Sequence, residues 1–219
     1  MDILPLTLLG GLLALDGTAF GQFMVSRPLV AGVLTGWLVG DPASGLLIGG
    51  ILEVYFISIF PVGGAEFPEG GPPTMVAVAT GALVQGPAGV ALGTLLGFLL
   101  SRVGAVSIRL LRKANGRLVP DPSRMEVTVG RVVWGHLGPV LLEFLRGCGV
   151  SFAGLLVGGW LAGIVGDLWP MGMSGTFVLL AVGASLTAGA FVGTLGGWKK
   201  RGVLFGAGLA GFLLSSMIL

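Results

Sequence analysis

Residues 20–73 set Gln22, Arg27, Asp41, Glu53, Glu66 and Glu69 inside or beside strongly apolar, helix-length sequence. A charge at a helix centre in hydrocarbon costs roughly 2.5–3.5 kcal/mol on insertion scales. Concentrating such groups here predicts a hydrophilic solute site inside a membrane protein. Glu53 is the sharpest candidate, because every neighbour from Leu46 to Phe60 except Ser58 is apolar, small or aromatic. A carboxylate accepts two charge-assisted hydrogen bonds from adjacent hydroxyls, the arrangement sugars present. The same carboxylate could instead pair with Arg27 or cap a broken helix nearby, and the sequence leaves both roles open. Gln22 offers a donor and an acceptor. Asp41, between a helix end and Pro42, reads as a turn residue. Glu66 and Glu69 fall in an irregular loop where one or both could be solvated.

Searches for enzyme chemistry return little. The chain has no P-loop signature, no HExxH, no CxxC pair and no GxSxG. His136 is the single histidine, expected as a helix residue bonded to a neighbour rather than a proton or phosphoryl relay. No second histidine or cysteine supports a metal site, so no catalytic residue, metal or cofactor is expected. Cys148 stands alone and reads as a small packing residue.

The elements that must position these groups are membrane helices. Of 219 residues, 54% are hydrophobic and 10% charged, with a mean hydropathy of +0.99; soluble domains carry about 25% charged residues. Apolar runs near ~20 residues indicate a polytopic helical protein rather than the alternating pattern of a barrel. The fold expected is an all-α, Gly-rich helical bundle forming one integral membrane domain over 1–219, with broken or re-entrant helices. Its 42 glycines include Gly32, Gly36 and Gly40; Gly45 and Gly49; Gly89, Gly93 and Gly97; Gly154 and Gly158; Gly159 and Gly163; and Gly202 and Gly206. Small-xxx-small spacing lets helix backbones approach closely in lipid.

Taken in order, residues 3–20 read as a retained helix, leaning to an outside N-terminus. Pro28 opens a helix that stops at Gly40-Asp41-Pro42, and at about 20 Å it is short of the ~30 Å hydrocarbon core. Residues 44–60 form a fuller span carrying Glu53, and 61–73 form a Pro/Gly-rich loop. Residues 74–101 are one kinked helix or two arms about Gln85-Gly86-Pro87. The stretch 102–131 holds Arg102, Arg109, Arg112, Lys113, Arg117, Arg124 and Arg131, which places it in the cytoplasm beside anionic lipid. Lys199-Lys200-Arg201 should also be cytoplasmic, so an even number of crossings separates the two. That parity predicts a second short re-entrant or interfacial element at 132–146, spans at 148–168 and 174–198, and a last helix at 202–219 ending outside. Two short segments in the two halves, with an echo of Gly36–Pro42 in Gly159–Pro170, raise an inverted repeat with a midplane site.

At these residues the chain resembles a known family. Arg27-Pro28-Leu29-Val30, Gly36 with Gly40-Asp41, Gly45 with Gly49-Gly50 and Leu52-Glu53, then Val62-Gly63-Gly64-Ala65, resemble the IIC subunit of mannose–fructose–sorbose-type sugar phosphotransferase systems. Residues 172–186 resemble the family's second-half Gly-rich helix less specifically. The resemblance is strong over about 20–85. It implies a bacterial inner-membrane permease subunit that binds a hexose of the mannose, fructose, sorbose or N-acetylgalactosamine class. It also implies a hetero-oligomer with a IID-type membrane subunit, with phosphorylation by cytoplasmic IIA/IIB subunits and no nucleic acid partner. The sugar-binding residues it implies are Gln22, Arg27, Glu53 and the loop from Glu66 to Glu69. This chain departs from the pattern with Phe67-Pro68-Glu69 where PPD is common, lacks an acid just before the Arg-Pro helix, and is short. Two rival readings remain: an ion-coupled secondary transporter with Glu53 as the coupling acid, and a non-transporting scaffold or sensor of the same fold.

Overall fold

Seven α-helices and no strand occur among the described residues of the computed structural model, which are 2–58, 66–118, 128–165, 168–194 and 202–203. They are α1 (Ile3–Thr18), α2 (Pro28–Val39), α3 (Pro42–Tyr55), α4 (Gly71–Val84), α5 (Gly86–Asn115), α6 (Val129–Val165) and α7 (Met173–Thr194). An all-α membrane bundle is therefore what the sequence forms. Among the described residues three helices, α5, α6 and α7, are long and apolar enough to cross a membrane.

Two antiparallel hairpins organise the first half. Pro28 occupies the first turn of α2, where its missing N–H would have no partner. At the other end Gly40 adopts φ +79° and bonds back to the Gly36 and Trp37 carbonyls, a left-handed cap that glycine reaches without a Cβ penalty. Asp41 then accepts from the Ser44 N–H at 3.0 Å and starts α3 with Pro42 in its first turn. One helix stops and the next begins within two residues, so the chain folds back on itself. The arms touch through glycine: a Cβ on Gly32 would stand 2.5 Å from the Gly45 carbonyl oxygen and 2.8 Å from the Gly49 Cα. At 1.5 Å per residue the arms are only about 18 and 21 Å long, each short of the ~30 Å hydrocarbon core.

The second hairpin reverses at Gln85 (φ +61°) and Gly86 (φ +57°). That resolves residues 74–101 as two arms rather than one kinked helix. Gly81 packs on Gly89, and Gly93 and Gly97 pack on Ala77. The hairpin is unequal, because α5 runs on beyond α4 for about 45 Å in total. Its basic half, from Arg102 to Lys113, is therefore a continuation of one long helix. Ile48 and Leu52 of α3 are fully buried against Ala77, Val78 and Val90, which fixes the two hairpins side by side.

The helix α6 overturns one expectation. Residues 132–146 are not a separate re-entrant element; they belong to a continuous 37-residue helix that includes Pro139. Arg131, Glu143 and Arg146 interrupt the hydropathy without interrupting the helix, because Glu143 and Arg146 are buried and paired. Two short segments in the two halves therefore do not exist as proposed. The next long apolar helix among the described residues is α7. Gly147 of α6 meets Ala14, Gly10 and Gly11 of α1, while Gly154 and Gly158 meet Val76 and Thr80 of α4. Gly159 and Gly163 have nothing within 4 Å, so among the described residues that pair meets no neighbouring helix. The expected helix 202–219, Lys199–Arg201, residues 61–65 of the loop, and Gly166-Asp167 of the echo lie outside the described residues, apart from 202–203.

Candidate functional site

The ionisable residues gather at the open ends of the two hairpins. Arg27, extended just before α2, donates through Nε at 2.7 Å and through Nη2 to Glu53 Oε1. Glu53 Oε2 accepts from the Leu29 N–H at 3.2 Å. Glu53 therefore fills both structural roles open to it: it pairs with Arg27 and caps the first turn of α2, where the helix dipole favours an anion. The pair is partly open, with side chains 33% and 23% exposed.

A second, deeper group stands where the segment before α4 meets α5 and α6. The Glu69 N–H bonds the Ser101 carbonyl at 3.0 Å, which carries its side chain inward. Arg146 Nη2 reaches Glu69 Oε1 at 2.5 Å and Nη1 reaches Glu69 Oε2 at 3.0 Å. The same guanidinium holds Glu143 through Nε at 3.0 Å and Nη2 at 2.5 Å, and Ser107 Oγ through Nη1 at 2.8 Å. The Arg146, Glu69 and Glu143 side chains are almost wholly buried. Gly104 makes room for the group, since a Cβ there would overlap the Glu69 carboxylate.

Asp16 completes the layer. It is buried in α1 and accepts from the Phe23 N–H at 2.6 Å and the Ser26 N–H at 2.7 Å, tying the connection between α1 and α2 to the bundle. That connection contains three left-handed residues, Gly21, Gln22 and Met24.

A cleft of about 70 Å³ opens between these groups, bounded by Gly17 and Thr18 of α1, Ser26 and Arg27, and Pro68 and Glu69. Of the five residues expected to bind solute, Arg27 and Glu69 line it together, and Glu53 stands behind Arg27. Gln22 is exposed in the α1–α2 connection and does not line it. Glu66 is half exposed and bonds Arg109 of α5 at 3.1 Å, at the surface rather than in the cleft. Asp41 is the turn residue its context predicted. His136 is exposed on α6. Sequence reasoning passed over Asp16, Ser107, Glu143 and Arg146 as parts of the site. The signal was there for two of them, since Glu143 and Arg146 sit three apart within an otherwise apolar run.

Half-length hairpins, full-length helices and a buried ionic layer define a polytopic helical membrane protein built around an internal polar site. The family model described as the PTS system sorbose-specific IIC component matches residues 1–120, and the chain belongs to that family. The sorbose-specific EIIC component of Lacticaseibacillus casei is 23% identical over 132 residues, covering 59% of this chain and 47% of that protein. The mannose-specific EIIC component of Escherichia coli K12 is 24% identical over 132 residues, covering 59% and 49%. The matched region thus spans about half the length of these curated relatives. Among solved structures, one described as a membrane protein superposes with a TM-score of 0.65 at 16% identity, covering 98% of this chain and 94% of that one. The mannose transporter ManYZ in complex with microcin E492 superposes at 0.57 and 17% identity, covering 98% and 85%. Both establish a shared fold.

Proposed function

We propose that this chain is the sugar-binding permease subunit of a phosphoenolpyruvate-dependent phosphotransferase system in the bacterial inner membrane. It binds a hexose of the mannose, fructose, sorbose or N-acetylgalactosamine class and presents it for phosphorylation by cytoplasmic IIA/IIB partners. It works beside a IID-type membrane subunit. The observation that carries the reading is the cleft lined by both Arg27 and Glu69 at the open ends of the two hairpins. Fixed carboxylates and a guanidinium in a low-dielectric setting suit the paired hydroxyls of a sugar better than an apolar or cationic solute. A cleft of about 70 Å³ holds a few waters at ~10–15 Å³ each, so a hexose enters only as the hairpin ends part. Movement of a site-bearing element against a scaffold is how alternating access works.

The test is hexose binding to the complex purified after co-expression with a IID-type partner. Glu53→Gln removes the charge that anchors Arg27 and is expected to abolish binding and uptake while membrane insertion stays normal. Unchanged affinity would remove Glu53 from the site. In cells, uptake should require the phosphotransfer proteins and persist when the proton gradient is collapsed. The opposite pattern would favour ion coupling, and partner binding without any uptake would favour a scaffold.

A further inference from the structure

We propose that Arg146 is the positioning residue of the sugar site: without touching the sugar, it fixes where the Glu69 carboxylate points. The proposal rests on the reading of Glu69 as a sugar ligand. A guanidinium has five N–H donors and no acceptor. Arg146 spends all five within the protein, two on Glu69, two on Glu143 and one on Ser107. Nothing is left to donate to a ligand, and Arg146 does not line the cleft.

Glu69 is the reverse case. Each of its oxygens accepts one bond from Arg146, while a carboxylate offers about four lone-pair sites. It therefore keeps acceptor capacity beyond Arg146, and Glu69 is among the residues that line the cleft. Glu143 and Ser107 orient the guanidinium from α6 and α5, and the Ser107 hydroxyl is itself fixed by donating to the Gly104 carbonyl at 2.7 Å. The chain of restraint runs from two scaffold helices through one side chain to one carboxylate. Lysine could not replace it, because its three donors are not arranged as a planar fork.

A double-mutant cycle on sugar affinity separates this role from plain structural support. Full-length chain, purified with its membrane partner, is titrated with mannose, fructose, sorbose and N-acetylgalactosamine, and the tightest binder is the probe. Arg146→Lys is expected to weaken binding about tenfold or more in the native background, and by less than about twofold when Glu69 is already Gln. Equal losses in both backgrounds would overturn the proposal, since Arg146 would then act independently of Glu69. If Arg146→Lys fails to accumulate, Ser107→Ala takes its place, with a smaller loss that must likewise vanish beside Glu69→Gln. Where Glu69→Gln binds too weakly to measure, Glu69→Asp closes the cycle. An unchanged affinity in Glu69→Gln alone would remove Glu69 from the site and this proposal with it. Equal losses on top of a weakened Glu69→Gln would refute only the positioning role.

Discussion

Two ion pairs of similar chemistry differ in consequence because their surroundings differ. Glu66 and Arg109 are each half exposed, so water screens them and their pairing contributes about 0–1 kcal/mol. Arg146 is enclosed with two carboxylates, and removing it leaves both charges buried without compensation. Arg146→Met is expected to destabilise the fold by about 3–5 kcal/mol, seen as a large fall in thermal unfolding temperature in detergent. Glu66→Gln should stay within about 1 kcal/mol of the native chain by the same assay. Asp16 is an intermediate case, since its loss would orphan two backbone N–H groups rather than a charge.

Among elements, the α2–α3 hairpin depends on glycines that are used for closeness rather than for flexibility. Gly32→Ala would force a methyl into the Gly45 carbonyl and the Gly49 Cα, both of them backbone that cannot rotate away. Overpacking of this kind costs about 1–3 kcal/mol. Gly159→Ala meets no atom of the described residues within 4 Å and is expected to change stability by no more than about 0.5 kcal/mol. Comparing the two variants in one unfolding assay checks the hairpin geometry, and equal effects would contradict it. Asp41→Ala should cost about 1 kcal/mol by loss of the α3 cap.

For the whole molecule, the long helices α5 and α6 supply Ser107, Glu143 and Arg146, while Arg27 and Glu69 stand just before the short helices α2 and α4. The basic half of α5 extends beyond the level of Glu69, and by the positive-inside rule it is expected on the cytoplasmic side. Cysteine introduced at Lys113, in a chain whose Cys148 is replaced by serine, should react with an impermeant maleimide only in inside-out vesicles. Labelling from the opposite face would invert the assigned orientation. The outer surfaces of α6 and α7 remain broadly apolar, with Phe152, Leu156, Trp160, Phe177 and Leu186 exposed. Lipid can cover such faces without any pairing of polar groups.

The amino-acid sequence by itself determined the helical membrane class, the Pro28 start and the Gly40-Asp41 turn, and it offered the pairing of Glu53 with Arg27 as one of the roles open to that charge. Each of these is written in local chemistry: hydropathy, a proline in a first turn, a glycine at positive φ, or a charge among apolar neighbours. The family motifs over residues 20–85 are equally local. Tertiary structure decided what hydropathy could not. It made residues 129–165 one helix, because burying Arg146 between Glu69 and Glu143 lets charges sit inside an apolar run. It also divided the loop acids, turning Glu69 inward to Arg146 and leaving Glu66 at the surface with Arg109. Glu69 and Arg146 lie 77 residues apart in the chain, and no periodicity or spacing connects them. Their pairing exists only because α4, α5 and α6 pack closely enough, across Gly104 and Gly154, to bring them together.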